Sequence, residues 1–222
     1  VDWFLENVLP LVPDSVPLLL VTKGMISTTG ANFISFPEYY QEKLAHRNLS
    51  INAIGGPCIS YELADNIDTS VWYCGEDIET LRYLKDIFGT KNYHISLSTD
   101  VRGVECAVAL KNLYAVGVGL AIGQYERKQD PGKREYYNPQ AALFGQSVRE
   151  MGKILSLVGA KDKLPAFGIG DLYVTAFGGR SRLLGVLLGR GLTFKEAMEE
   201  LEGQTLESVV IAQRTYDFLK TQ

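Results

Sequence analysis

The sequence predicts an α/β region with a largely parallel sheet over residues 1–98, followed by an all-helical region over residues 99–222. Three observations carry that division. Short apolar runs alternate with amphipathic stretches through the first hundred residues, the strand signal fades from Thr99 onward, and helix-start signals then take over.

Taken in order, Leu18 to Thr22, Ile51 to Ile54, Val71 to Cys74 and His94 to Leu97 are short and rich in branched or aromatic residues, the composition of buried strands. Between them, Pro37 opens a helical stretch that runs to Leu44, because a proline costs nothing in a first helical turn. A second helix is predicted from Asp77 to about Phe88, with Leu81, Leu84 and Phe88 on one face. Past the boundary near Ser98, residues 106–122 are almost wholly apolar and read as a buried helix; Lys111 and Asn112 in their middle argue against a membrane span. Asn138-Pro139 reads as a cap with a first-turn proline, and Thr193 to Glu196 has capping-box spacing. Tyr125 to Tyr137, with charges of both signs around Pro131-Gly132, reads as a solvated loop.

An apolar share of 46% supports a real core, and 22 basic against 26 acidic residues leave a net charge of −4. That balance gives nucleic acid or an anionic membrane no general attraction, so any anion site must be local. Cys58, Cys74 and Cys106 are odd in number and lack CxxC spacing, which points to no disulfide framework, no zinc site and a reducing, cytoplasmic setting. His46 and His94 alone leave metal chemistry or a serine triad little to work with. The start shows no cationic leader ahead of an apolar stretch.

Lys111 is the most informative residue. The helix around it offers water almost no polar face, and a buried lysine either finds a carboxylate or lowers its pKa toward the range useful for proton transfer. The alternative is a lysine that snorkels to the rim of a packed helix. Asn112 points about 100° around the same helix. Gly103, Ala107, Ala115 and Gly119 recur at four-residue spacings and suit close approach by a helix or ligand. A second cluster runs from Gly168-Ile169-Gly170-Asp171 through Thr175 to Gly178-Gly179-Arg180-Ser181-Arg182, where a glycine turn opens a helix beside guanidinium groups. Free N–H groups and arginine forks there suit a phosphate or carboxylate, although a simple helix-capping turn has the same pattern. Lys23, before Gly24 at the end of the first strand, lies where ligands bind an open α/β sheet, and Gly55-Gly56-Pro57 follows the second strand; both also fit ordinary turns.

In this order, Lys23-Gly24, Gly56-Pro57 with Glu62, Ala109-Leu110-Lys111-Asn112, Asn138 with Ala141-Ala142-Leu143 and Glu150-Met151, Gly170-Asp171-Leu172 and Gly179-Arg180-Ser181-Arg182 resemble the motifs of NAD(P)-dependent glycerol-3-phosphate dehydrogenases across nearly the whole chain. The resemblance implies part of a Rossmann-type nucleotide-binding domain over 1–98. Over 99–222 it implies a helical substrate domain like the C-terminal one of 6-phosphogluconate dehydrogenase. It further implies interconversion of dihydroxyacetone phosphate and sn-glycerol 3-phosphate with NAD or NADP. Lys111 would match the catalytic lysine and Lys23 the second active-site lysine, with Asp171 and Thr175 orienting lysine and substrate. Asn112, Arg180 and Ser181 would hold the phosphorylated substrate, and Lys23, Ser60, Arg180 and Glu207 would face the cofactor.

The family's opening GxGxxG turn does not occur in the sequence, so a piece lacking the front of the nucleotide-binding domain is expected. Ser60 stands where the family usually has alanine, and the 125–137 loop is longer than in bacterial relatives. Expected partners are the small phosphorylated substrate, without nucleic acid or membrane insertion, and with a homodimer open to it. The rivals are a two-domain dehydrogenase for another small hydroxy acid or alcohol, and a non-catalytic binding or oligomerisation module.

Overall fold

A computed structural model describes residues 1–28, 32–128, 136–162 and 166–222. Helix α1 (Asp2–Asn7) and a 3-10 turn lead to strand β1 (Leu18–Leu20). A hairpin of β2 (Met25–Thr28) and β3 (Asn32–Ser35) then feeds α2 (Phe36–Lys43). The Ser35 hydroxyl accepts from the Glu38 N–H while Glu38 accepts from the Ser35 N–H, so both ends of a capping box close, with Pro37 in the first turn. Strand β4 (Ile51–Gly55), the one-turn helix α3 (Ser60–Ala64), β5 (Thr69–Cys74), α4 (Ile78–Phe88) and β6 (Tyr93–Ser98) follow. Asp77 caps α4 at the predicted place, and Leu81 and Leu84 are buried, although Phe88 lies 48% exposed.

The sheet order is β1-β4-β5-β6. Pairs β1–β4 and β5–β6 are parallel, whereas β4–β5 is antiparallel. The expectation of a largely parallel sheet therefore needs correction at its centre. A parallel neighbour is usually reached through a full crossover helix, and between β4 and β5 stands only the five-residue α3. The hairpin was not anticipated either: its register pairs Met25 with Ser35 and Ile26 with Ile34. Helix α2 and the hairpin enclose one apolar cluster with β4 (Leu9, Phe36, Tyr40, Leu44, Leu49, Ile51), and α4 covers Val71, Tyr73 and Ile95 on one face of the sheet.

From residue 101 onward the described structure is helical: α5 (Val101–Arg127), α6 (Tyr137–Leu157), α7 (Ala166–Gly178), α8 (Arg180–Arg190), α9 (Phe194–Glu200) and α10 (Glu207–Leu219). Helix α5 is long and apolar enough to cross a membrane, yet most of that window is buried within the protein. Its buried positions join Ala53 and Cys74 of the sheet, Met25 and Phe33 of the hairpin, and residues of α6, α7 and α10 in one core cluster. Of the small residues predicted to admit a neighbour, Gly119 does so against α8 and Ala107 against Gly168 of α7, while Gly103 faces its own cap Asp100; Gly123 and, on α8, Gly185 extend the contact. A Cβ on Gly119 would lie 2.3 Å from the Arg182 carbonyl oxygen, one on Gly123 2.0 Å from that of Val186, and one on Gly185 2.1 Å from that of Val116. Backbone thus meets backbone along an α5–α8 seam.

Thr193 closes the expected capping box of α9. Asn138 does not cap: α6 already begins at Tyr137, after Tyr136, and no cap side chain bonds there. The solvated-loop reading of 125–137 is shortened as well, since α5 continues through Arg127 to a C-cap at Lys128. Pro131-Gly132 lies outside the described residues.

Candidate active site

Three elements bring charged groups to one point. Lys23 sits three residues past the end of β1, on the strap to β2, and Gly24 beside it is needed for passage, because a Cβ there would lie 2.5 Å from the Phe36 ring. Lys111 projects from α5 and Asp171 from α7. One carboxylate serves both lysines: Lys23 Nζ lies 2.6 Å from Asp171 Oδ2, and Lys111 Nζ 2.5 Å from Asp171 Oδ1. The Lys23 ammonium also donates to the Gly56 carbonyl at 2.8 Å. Asp171 is 3% exposed, against 20% for the Lys23 side chain and 14% for that of Lys111.

Lys111 thus takes the carboxylate-paired form of the sequence reading, not the snorkelling one. Burial holds its pKa below the ordinary lysine value, Asp171 pulls it back up, and Lys23 pushes it down again. Its neighbour Asn112 is buried and donates from Nδ2 to Glu207 Oε2 at 2.9 Å, tying α5 to the first turn of α10. Helix α10 also reaches the lysine strap: Arg214 Nη1 donates to the Met25 carbonyl at 2.6 Å, and Phe218 stacks on Phe33 at 5.3 Å.

Thr175 lies one turn after Asp171 and donates its hydroxyl to the Asp171 carbonyl at 2.7 Å, so it steadies the helix segment that carries the carboxylate. Its own carbonyl accepts from the Gly179 N–H at 2.9 Å, which sets the turn into α8. Gly179 is the N-cap, as the glycine turn predicted, and Arg180 stands exposed in the first turn with Ser181 buried behind it. Ser60, by contrast, sits exposed at the start of α3, and among the described residues no hydrogen bond joins it to the lysine cluster. Among the described residues no group of histidine, cysteine or acidic side chains could hold a metal ion.

Residues 100–222 match the profile described as NAD-dependent glycerol-3-phosphate dehydrogenase C-terminus. The chain belongs to that family. An NADP(+)-dependent glycerol-3-phosphate dehydrogenase of Archaeoglobus fulgidus is 32% identical over 219 residues, which cover 96% of this chain and 63% of that protein. A glycerol-3-phosphate dehydrogenase [NAD(P)+] of Teredinibacter turnerae is 29% identical over 92% of this chain and 57% of its own. The chain therefore spans about three fifths of the curated relatives it matches. The fold is shared with the crystal structure of glycerol-3-phosphate dehydrogenase from Coxiella burnetii, at a TM-score of 0.80 and 24% identity over 99% of this chain and 65% of that one. The Saccharomyces cerevisiae enzyme superposes at 0.81, with 21% identity over 99% and 63%.

In this member of the glycerol-3-phosphate dehydrogenase family, two groups near the lysines escaped the sequence reading. Glu105, less than two turns ahead of Lys111, is wholly buried. It lies on the same helix, just ahead of the apolar run that holds Lys111, and the argument applied to the lysine, a charge where water has no access, would have found it. The other is Cys58, exposed and close enough to Lys23 and Asp171 to feel both charges, although burial on its inner side still holds the thiol above its ordinary pKa. No spacing marks it.

Proposed function

We propose that the chain supplies the substrate-handling part of an oxidoreductase that interconverts dihydroxyacetone phosphate and sn-glycerol 3-phosphate. The observation that carries this reading is the bridge of Lys23 and Lys111 on Asp171. Reducing a ketone requires a proton at the oxygen that becomes the alcohol, and the Lys111 ammonium, its pKa held down by burial, is suited to give it. The same positive charge steadies oxygen as negative charge develops there. Asp171 orients both ammonium groups, Thr175 fixes the helix segment that holds Asp171, and Lys23 adds a second donor and charge. In the reverse direction neutral Lys111 accepts the alcohol proton.

Arg180 and the N–H groups that open α8, with Ser181, form the phosphate end, since helix N-termini and guanidinium forks both favour a phosphate dianion. Asn112 contacts the substrate, held in place by Glu207. NAD or NADP would supply the hydride when bound. Lys23, Ser60, Arg180 and Glu207 are the residues that would face it, with the Glu207 carboxylate and the Lys23 ammonium offering polar partners for its nicotinamide end. The pyrophosphate end needs a glycine turn of the GxGxxG type, which the sequence does not contain. Cytoplasmic location, a sheet-bearing nucleotide domain to residue 98 and a helical substrate domain from 99 complete the proposal.

A chimera that joins the chain to the portion of the Archaeoglobus relative left unmatched tests it. Oxidation of NADH or NADPH dependent on dihydroxyacetone phosphate is expected, at higher kcat/KM than with unphosphorylated dihydroxyacetone or small keto acids. A folded, cofactor-binding chimera that turns over none of these ketones overturns the catalytic reading in favour of a binding module, and preference for a keto acid overturns the phosphate assignment.

A further inference from the structure

Glu105 takes no part in the chemistry proposed above. Its residue is 0% exposed, and neither carboxyl oxygen has a hydrogen-bond partner among the described residues. The groups around it come from several elements: Lys23 and the Gly24 N–H on the strap after β1, Glu38 on α2, Cys74 at the end of β5, and Cys106 beside it on α5. Glu38 is itself committed to Arg102 at 2.7 Å. Burial pushes both thiols far above their ordinary range, so they stay neutral. The Gly24 N–H lies near enough to favour a carboxylate without closing a hydrogen bond. A bare carboxylate in such a place is costly and a neutral acid is not. Burial raises the Glu105 pKa to about 8, with Lys23 and the Gly24 N–H restraining it.

We propose that Glu105 is a positioning residue for Lys23. As a neutral acid under the Lys23–Gly24 strap it leaves the ammonium to Asp171; as a carboxylate, in mildly alkaline solution, it competes for that ammonium and lowers by one the positive charge the site offers an anion. Lys23 has two carboxylates within its field, and only the ionisation of Glu105 decides whether the second acts. The role in turnover rests on the dehydrogenase reading; the coupling between the two side chains does not.

The test therefore uses no substrate. The folded 222-residue chain, labelled with ¹³C at glutamate and lysine, is titrated by NMR from about pH 5 to about pH 10, beside Glu105→Gln. In the wild type the Glu105 Cδ signal is expected to titrate near pH 8, and the Lys23 Cε signal to show an inflection at the same midpoint. Glu105→Gln should lose the inflection near pH 8 and keep only the response of Lys23 that follows the Lys111 Cε signal, since both lysines share Asp171. A Glu105 midpoint below about pH 6, or a Lys23 inflection near pH 8 that survives in Glu105→Gln, overturns the proposal. Should Glu105→Gln fail to fold, the wild-type titration decides alone, since separate midpoints for the two signals refute the coupling. An inactive chimera would leave this result untouched, and a failed titration would leave the dehydrogenase reading standing.

Discussion

Asp171 gives one carboxylate oxygen to Lys23 and the other to Lys111, so a single acidic side chain from α7 neutralises two cations that the sequence places 88 residues apart. With Asp171→Asn the two ammonium groups remain close together and largely buried with only an amide between them. Removing one partner of a buried ion pair destabilises by about 3 kcal/mol. The loss should appear in urea unfolding at neutral pH and shrink in alkaline solution, where Lys111, already shifted down, sheds its proton first. A deficit that is constant with pH would mean the damage lies in packing.

Lys111→Met keeps bulk and removes both proton and charge. In the active chimera it should lower kcat by about 10²–10⁴, the usual worth of a general acid–base group, without changing the melting temperature by more than a few degrees. Because burial lowers the Lys111 pKa, reduction of the ketone by the unmodified chimera should also decline at a lower alkaline pH than an ordinary lysine would allow. Retention of a third of the turnover in Lys111→Met would refute the role.

Arg180 is exposed at the start of α8, and its charge would meet a phosphate that does not change during the reaction. Arg180→Leu is therefore expected to raise KM for dihydroxyacetone phosphate about 10- to 100-fold, the worth of a hydrogen bond to a charged group. Unphosphorylated dihydroxyacetone should be far less affected. Steady-state kinetics on both ketones checks this, and equal losses would mark the arginine as structural.

Gly185 and Gly117 make a matched pair for stability. A Cβ on Gly185 would stand 2.1 Å from the Val116 carbonyl oxygen, whereas one on Gly117 meets nothing within 4 Å. Gly185→Ala should cost about 1–3 kcal/mol by forcing α8 off α5. Gly117→Ala, in the middle of α5, should gain up to about 1 kcal/mol from helix propensity. Urea denaturation of the two chains should give opposite signs.

The helical half was legible because its signals are local. Capping at Thr193 and Gly179 and the apolar run around Lys111 are each set within a few neighbours in the chain. What escaped depends on distant partners. The antiparallel step between β4 and β5 is a matter of pairing across the sheet, and the hairpin at Met25 is held from α10 through Arg214 and Phe218. In the site, periodicity left Lys111 to find a carboxylate, to lower its pKa or to snorkel, and only the fold shows that it pairs with Asp171, shared with Lys23. Thr175 was expected to orient lysine and substrate; that its hydroxyl donates to the Asp171 carbonyl could not be read from spacing, which places a hydroxyl on a helix face without choosing its acceptor. Asn138 failed as a cap because α6 begins one residue earlier, at Tyr137, which puts Asn138 inside the first turn.

The glycine contacts at 119, 123 and 185 give α5 a role as a measuring rod. Lys111 and the attachment points of α8 stand on the same helix, and its rise of about 1.5 Å per residue separates Lys111 from Gly119 by about 12 Å along the axis. Carbonyl oxygens pressed against glycine leave α8 no slack to slide, so the reach from the Lys111 ammonium to the Arg180 turn is a fixed length. If the Arg180 turn holds the anionic group of a ketone substrate, as proposed above, a ligand one carbon shorter or longer would have to be met by the side chains alone, without movement of α8 against α5. Selection by chain length would then be a property of helix spacing, tunable at Gly119 and Gly185 without altering any group that touches the ligand.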